Sequence, residues 1–420
     1  MANPITQVTL KNGMQVMLKE IHTAPIVSSW LWYRVGSRDE PTGETGISHW
    51  TEHMQFKGTK KFPASMLDKA ISREGGHWNA STSHDSTRYY ETMPVDKIDL
   101  ALRLEADRMQ NSLFNEKEVA SERTVIISER EGSENEPMFR LGEAVQHYAF
   151  RVHPYHHEII GDMADLRTIT RDDLYAHYRR YYVPNNAVLA MAGDFETKSM
   201  LKRVRELFER IPKGAAPPRL ARPEPEQNGE MRFSIEGPGE TGFVQLAYHF
   251  PNATHPDYLP LQVLNSLLNG ASGLSYKTSR LYRALVDKGF AVDVSGWSEA
   301  SIDPALYRIT ITSHPKRKPE TSIAVLDTEI EKLLNEPVSS DEIKRAVKQT
   351  RAVFAYGSEN ITHQAFWMGY TAMFSTYDWF TTYLNKLARV TPQDVQRVAR
   401  KYFRTSNRVI GIYIPKGNGG

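Results

Sequence analysis

Apolar and polar positions alternate, or recur every three to four residues, along most of the chain, and these two periods predict strands and helices. The segments on either side of Asn12-Gly13 alternate, and Asn-Gly between alternating segments is the strongest short-range signal for a β-hairpin. Residues 26–35 then predict a strand. After a polar loop, a helix is expected to begin near Ile47.

Further segments of the first half follow the same two periods. The alternating segment 78–91, rich in Ser, Thr and Tyr, predicts a single strand. Asn115 followed by Glu118 resembles a capping box, so a helix is expected from there to the region of Arg130. The remaining predicted elements are a helix at 171–182 and a strand at 187–193. Strands and helices thus alternate along the chain.

The two halves of the chain look like weak copies of each other. In the second half, a strand at 243–250, a loop with Asn and Pro, and a helix at 259–268 repeat the order found in the first half. Between the halves, residues 212–229 contain five prolines and no apolar period, which is typical of an exposed linker. We therefore predict a first domain at 1–211 and a second at 230–420.

Composition narrows the possible functions. A chain of 420 residues is too long for one ordinary core, and its net charge of +2 gives no electrostatic reason to expect binding to nucleic acid or to a membrane. Because cysteine is absent, any metal must be bound by His, Asp or Glu. The first residues do not resemble a signal peptide. A cytoplasmic location is expected, or a periplasmic one if a leader has been removed.

The clearest chemistry lies at His49, Glu52 and His53. Two histidines four residues apart lie on one face of a helix, and neutral imidazole is a preferred ligand of Zn²⁺. Glu52 precedes the second histidine, where a carboxylate can accept a proton from a water that the metal activates. The alternative is an exposed helix face that carries these three side chains by chance.

A catalytic zinc site needs a third protein ligand. The downstream helix offers Glu122 and Glu129, which are seven residues apart and therefore share a face after two turns. Both lie among valines and isoleucines, and a buried carboxylate without a partner is costly. Either glutamate is a candidate ligand, unless this face is half-solvated.

A second group of possible ligands lies at 153–158, with three histidines and Glu158. Pro154 interrupts any helix there, so the spacing of its histidines does not place them on one helix face. We therefore interpret this segment as a structural loop.

The residues around the first group resemble those of a known family. His-Trp-Thr-Glu-His at 49–53 is similar to the inverted zinc motif His-x-x-Glu-His, and Met-Gln-Phe-Lys-Gly-Thr follows it. Further similar stretches occur in the family's order at 75–83, 153–155, 159–161, 181–186 and 192–194. Over nearly its whole length, the chain resembles the M16 zinc metallopeptidases, or inverzincins, such as pitrilysin and the mitochondrial processing peptidase.

The resemblance implies an α+β fold. Family members of this size have two tandem homologous domains, each with an antiparallel-rich sheet packed with helices, as in LuxS and related metallopeptidases. Such a chain forms half of a clamshell, and a second half completes the chamber in which extended peptides are cleaved. The predicted function is that of a zinc-dependent endopeptidase.

The resemblance also implies roles for individual residues. It makes Glu129, which lies 76 residues after His53, the third ligand of one Zn²⁺ per chain, and Glu52 the catalytic base. Glu122 would support a ligand histidine. The substrate would add as a strand to an edge strand, whose residues here are Trp78, Asn79, Ala80, Ser81 and Thr82.

The second half departs from the family pattern. Active members carry an Arg and a Tyr seven residues apart that stabilise the oxyanion, and alignment on Gly289 puts Leu285 and Val292 in their places. Neither side chain can donate a hydrogen bond. We therefore expect the chain to be the metal-binding subunit of a heterodimer, with a homologous partner that supplies the Arg and the Tyr. The alternatives are a self-sufficient homodimer and a non-catalytic scaffold subunit.

Overall fold

The computed structural model of this chain describes residues 5–219, 221–271 and 276–417, apart from the side chains of residues 65–68 and 276. Leu220 of the predicted linker and residues 1–4 of the first predicted domain lie outside the described residues. The strands are β1 (Thr6–Thr9), β2 (Gln15–Glu20), β3 (Ile26–Tyr33), β4 (His77–Thr82), β5 (Thr87–Pro94), β6 (Ala187–Gly193), β7 (Met231–Pro238), β8 (Phe243–Phe250), β9 (Ala291–Trp297), β10 (Ala305–Ser313) and β11 (Arg408–Lys416).

Helices connect and cover these strands. They are α1 (Ile47–Met54), α2 (Ala64–Arg73), α3 (Ile98–Asn111), α4 (Glu116–Glu134), α5 (Pro137–Ala149), α6 (Met163–Thr168), α7 (Arg171–Tyr181), α8 (Thr197–Phe208), α9 (Tyr258–Asn269), α10 (Pro319–Asn335), α11 (Ser340–Tyr356), α12 (Ile361–Phe374), α13 (Tyr377–Leu387) and α14 (Pro392–Tyr402). Among the residues that the structure describes, no helix combines the length and the apolar character needed to cross a bilayer.

Packing divides the chain into two compact units. Unit 1 consists of Met1–Glu131, His157–Arg222 and Ser358–Tyr377, and unit 2 consists of Gly132–His156, Pro223–Gly357 and Asp378–Gly420. Each unit therefore takes a short segment from the other half of the sequence. The predicted domains 1–211 and 230–420 are continuous ranges, so they differ from these units in the exchanged segments. The division of the chain into two homologous halves stays a prediction.

The sheet of unit 1 has the spatial order β1-β2-β6-β3-β5-β4 in the part of the chain that the structure describes. The pair β2 and β6 is parallel, and the other pairs are antiparallel. Every residue of β6 is buried, as expected for a continuous apolar strand that is covered on both faces. At the far end of the sheet lies β4, with β5 as its neighbour.

Unit 2 repeats this arrangement. Its described strands have the order β7-β11-β8-β10-β9, in which only β7 and β11 are parallel. Position by position, this is the order β2-β6-β3-β5-β4 of unit 1. The chain is thus an α+β protein of two domains, each a mixed sheet in which antiparallel pairs dominate, and the predicted fold class is confirmed.

The exchanged segments contribute one helix to each sheet. In unit 2, α5 packs on β8 and β11 through Leu141, Val145 and Ala149. In unit 1, α12 packs on β3 and β6, and Gly369 lies against the buried ring of Trp32. An apolar helix face from one half of the sequence therefore completes the core of the other half's unit.

Of the local predictions from the sequence, the first hairpin is confirmed and one strand is wrong. The hairpin at Asn12-Gly13 is confirmed: β1 and β2 pair antiparallel, and Gly13 has a φ of +90°. The single strand predicted at 78–91 is wrong. A turn separates β4 from β5, and it is closed by the N–H of Ser83, which donates to the carbonyl of Ser86 at 2.8 Å. Residues 83–86 are Ser-His-Asp-Ser, a polar run that is typical of a turn.

Replacing two helical glycines by alanine is expected to change the stability of the protein in opposite directions, because one of them packs at the contact between α12 and β3. A Cβ at Gly369 would lie 2.0 Å from Trp32 Nε1, whereas a Cβ at Gly132 of α4 meets no atom within 4 Å. Gly369→Ala is expected to destabilise the protein by about 1–3 kcal/mol through overpacking. Gly132→Ala should stabilise it by about 0.5–1 kcal/mol, because alanine loses less backbone entropy in a helix. Thermal unfolding of the purified variants measures both, and equal melting temperatures would contradict the packing described for α12.

Candidate functional site

Helix α1 presents its two histidines opposite a buried apolar side. Ile47, Trp50 and Met54 are fully buried at spacings of three and four residues, which fixes the rotation of the helix about its axis. His49 and His53 therefore lie side by side, with ring centroids 4.6 Å apart. The predicted i, i+4 pair on one helix face is present.

Helix α4 brings two carboxylates to these histidines, in different environments. Glu122 is buried, and its Oε1 accepts a hydrogen bond from Nδ1 of His53 at 2.8 Å. Its other oxygen forms an ion pair with the ammonium group of Lys57. Two turns later, Glu129 is exposed, and its Oε2 lies 3.9 Å from Nε2 of His53. The two glutamates share a helix face, but only Glu122 is buried there.

The surroundings of these groups move their pKa values in different directions. Burial, with His53 nearby, lowers the pKa of His49 to about 3, so this imidazole is neutral. Burial would also lower the pKa of His53, but its hydrogen bond to Glu122 and the nearby carboxylates outweigh burial and raise it. Burial would raise the pKa of Glu122, and the hydrogen bonds from His53 and Lys57 outweigh that effect and lower it. Glu122 is therefore a carboxylate with two cationic or donor partners.

The residues fit a zinc ion. One ligand atom each of His49, His53 and Glu129 lies within 4.8 Å of the others. Two imidazoles and one carboxylate form a ligand set that catalytic zinc sites use. Nδ1 of His53 is occupied by Glu122, which leaves Nε2 directed at Glu129. The buried Nδ1 of His49 has no hydrogen-bond partner among the described residues, and such unpartnered buried polar atoms are rare in folded proteins.

Glu52 lies beside this group and faces the sheet edge. Its side chain is 8% exposed, and its Oε2 accepts a hydrogen bond from Oγ1 of Thr82 at 2.6 Å. Burial raises the pKa of Glu52, against the opposing effects of Thr82, His53 and Arg88. A carboxyl with a raised pKa is a stronger base at neutral pH.

The predicted substrate-binding residues form the edge strand β4. Side chains alternate along a strand, so Trp78, Ala80 and Thr82 share the face that looks toward α1, and Asn79 and Ser81 share the other. Trp78 packs on Phe56, the second residue after α1, with ring centroids 4.5 Å apart. The edge strand thus contacts the end of the histidine helix at one point and Glu52 at another.

Comparison with known proteins agrees with this arrangement. Residues 15–163 match the family model described as Insulinase (Peptidase family M16), and residues 168–350 match the one described as Peptidase M16 inactive domain. The zinc protease PqqE of Helicobacter pylori is 30% identical over 403 residues, which cover 94% of this chain and 90% of that protein. The chain belongs to the M16 family of zinc peptidases.

Two further relatives extend this M16 comparison. A probable β subunit of the mitochondrial processing peptidase from Arabidopsis thaliana is 27% identical, over 98% of this chain and 79% of that protein. The crystal structure of a protease from Helicobacter pylori superposes with a TM-score of 0.93 at 28% identity, and the match covers 99% of this chain and 100% of that one. The two-domain M16 fold therefore extends over the whole chain.

The two positions of the second M16 domain that depart from the family pattern, 285 and 292, differ in solvent exposure. Leu285 is fully buried in the π-helical turn Tyr282–Val286, whereas Val292 on β9 is 54% exposed. A side chain at 292 can therefore face solvent, but an arginine at 285 would be buried in this fold.

The histidine-rich segment at 153–158 is not part of the metal group found among the described residues. Pro154–His156 forms a single 3-10 turn, and Nε2 of His153 lies 3.1 Å from Oδ2 of Asp303. This contact agrees with the interpretation of the segment as a structural loop.

Two supporting residues escaped the sequence analysis. Glu40 accepts hydrogen bonds from the backbone N–H groups of Gly46 and Ser48, both at 2.8 Å, and so caps the start of α1. Because it lies six residues before Gly46, the usual capping position does not reveal it. Lys57 pairs with Glu122 and lies in the family-like stretch after the zinc motif. A glutamate that is predicted to be buried needs a cationic partner, and the lysine in this stretch was the available signal for one.

Proposed function

We propose that this M16 peptidase hydrolyses extended peptides or unfolded polypeptides at a site where His49, His53 and Glu129 hold one Zn²⁺ per chain. The observation that carries the proposal is the meeting of these three ligand groups beside the buried carboxylate of Glu52. When bound, zinc supplies a Lewis acid that polarises a carbonyl and makes water a nucleophile at neutral pH.

Glu52 acts as the general base. Thr82 donates to Oε2 and fixes the orientation of the carboxylate, and Oε1 has no hydrogen bond among the described residues. Oε1 can therefore accept the proton of the attacking water and later return it to the leaving amine. The raised pKa of Glu52 favours both transfers near neutral pH.

The substrate adds as a strand to β4. Main-chain hydrogen bonds from one edge of β4 recognise any extended peptide, so sequence preference is loose. Thr82 ends β4 and touches Glu52, which brings a peptide paired with β4 close to the base. Residues Trp78 to Ser81 would then lie along the bound peptide.

The working enzyme is a dimer with a homologous M16 subunit, and its two halves enclose the reaction chamber. The name of the Arabidopsis relative describes a subunit, which supports a partner for this chain as well. Leu285 and Val292 supply no oxyanion donor, so the partner provides an Arg and a Tyr. A homodimer would lack both groups, and a scaffold role leaves the converging ligand groups without a purpose. The cytoplasmic location stays a prediction.

The role of Glu52 is tested by Glu52→Gln. The amide keeps the size of the side chain but cannot accept a proton, so hydrolysis should fall by about 100-fold or more while bound zinc stays at the wild-type level. Peptide cleavage and metal content are measured on the same samples. Glu44→Gln, in the loop before α1, is the matched control and should behave as wild type. Turnover near that of the control would rule out the base role.

The metal site is tested by His53→Ala and Glu122→Gln. Loss of a ligand should remove most of the zinc, whereas loss of the carboxylate that orients His53 should weaken zinc binding by about 10–100-fold. Zinc stoichiometry and competition with a chelator measure these effects. Glu131→Gln, exposed on the same helix, serves as control. Wild-type stoichiometry in His53→Ala would mean that the zinc lies elsewhere.

The dimer is tested by assaying the purified chain on an unstructured peptide, alone and with a homologous chain that carries the Arg and the Tyr. A missing oxyanion donor costs about 100–1,000-fold in turnover, so activity should rise by a factor of that order on mixing. The mixture with Glu52→Gln in this chain is the control and should stay inactive. Full activity of the chain alone would favour the self-sufficient homodimer instead.

A further inference from the structure

Arg123 joins the two helices that carry the ligand groups. It follows Glu122 on α4, and its guanidinium lies over the ring of Trp50, 4.8 Å from the ring centre. Trp50 is fully buried on α1 between His49 and His53. A guanidinium over an indole face is an attractive contact with a preferred geometry. It therefore ties α4 to the middle of the histidine helix.

The same guanidinium also holds the end of a third helix. Its two terminal nitrogens donate to the carbonyls of Leu166 and Ile169, at 2.7 and 2.6 Å. These carbonyls lie at the C-terminal end of α6, where a cation is favoured by the helix dipole and by unsatisfied carbonyl groups. Arg123 thus uses three separate contacts on two neighbouring helices.

Helix α6 is bound in turn to the start of α1. Oδ2 of Asp165 accepts hydrogen bonds from the N–H and the Oγ1 of Thr45, at 3.0 and 2.7 Å. Gly46 and Gly161 pack back to back there, and a Cβ on either would lie 2.4 Å or less from a backbone oxygen of the other segment. The contacts α4–α1, α4–α6 and α6–α1 therefore form a closed triangle.

We propose that Arg123 is a positioning residue that sets the rotation of α4 about its axis and thereby the place of the Glu129 carboxylate. This inference rests on the proposed metal site. Successive residues of a helix point about 100° apart, so Glu122 and Arg123 hold α4 from two directions. One contact alone would act as a pivot. Misorientation by about 10–20° is enough to spoil a site, and the side chain of Glu129 is exposed, so its place depends on how α4 is held.

The test measures zinc affinity of the full chain by chelator competition, with hydrolysis as a second readout. Arg123→Met keeps the bulk of the side chain but removes the donors, and it should weaken zinc binding about tenfold, as losses of supporting groups around a metal do. Arg123→Lys, which can rest on Trp50 and donate to one carbonyl, should recover part of the affinity.

Arg171→Met is the matched control. Arg171 stacks on Tyr175 at 4.4 Å and donates to the carbonyl of Phe114, so it makes the same kinds of contact, but to the loop before α4 instead of between α4, α1 and α6. It should lower the melting temperature without changing zinc affinity. Equal affinity in Arg123→Met and wild type, or equal losses in Arg123→Met and Arg171→Met, would overturn the proposal. Wild-type zinc binding in His53→Ala would instead overturn the metal site, and this inference with it.

Discussion

The geometry of the site depends on the buried carboxylate of Glu122. It lies between the imidazole of His53 and the ammonium group of Lys57, both of which come from the segment of α1 and the turn after it. A buried carboxylate that loses its partners costs several kcal/mol, so α4 cannot turn away from α1 without a large penalty. The same contact occupies one nitrogen of His53 and leaves the other directed at Glu129. One ion-pair network thus ties α4 to α1, orients the imidazole of His53 and leaves its Nε2 directed at Glu129.

Local features of this arrangement could be predicted from the sequence, and non-local ones could not. The i, i+4 spacing of His49 and His53 follows from helix geometry, and the hairpin at Asn12-Gly13 follows from turn chemistry. The third ligand was a choice between Glu122 and Glu129 until the family resemblance was considered, because spacing on a helix does not tell which glutamate a neighbouring helix will bury. Glu40 was missed because its role depends on a loop that folds back on α1. The exchange of α5 and α12 depends on contacts between segments about 100 residues or more apart, and no local pattern carries that information.

The repeated fold makes the two units informative about each other. In each, a strand is followed by a loop and a helix, and that helix is α1 in unit 1 and α9 in unit 2. Helix α9 carries a polar pair with the same spacing of four, Asn265 and Asn269, and both are buried. The hydroxyl of Tyr307 on β10 donates to Oδ1 of Asn265 at 2.9 Å, and the amide of Asn269 donates to the same oxygen at 3.1 Å. Polar side chains at helical spacing therefore bond to one another in unit 2.

Packing explains why the asparagines of α9 hydrogen-bond to each other while the histidines of α1 face α4. A Cβ at Gly296 on β9 would lie 2.2 Å from Nδ2 of Asn269, so the amide already fills the space between its helix and the edge strand. In unit 1, the contact between helix and edge strand runs through Glu52 and Thr82 instead, and the histidines are left to face α4. The two copies of one fold thus differ in what lies between helix and edge strand: neutral amides that bond internally in unit 2, and a buried acid beside two imidazoles in unit 1. The amides of Asn265 and Asn269 hydrogen-bond to each other, whereas the imidazoles of His49 and His53 and the carboxylate of Glu129 converge as a group that could hold a metal ion.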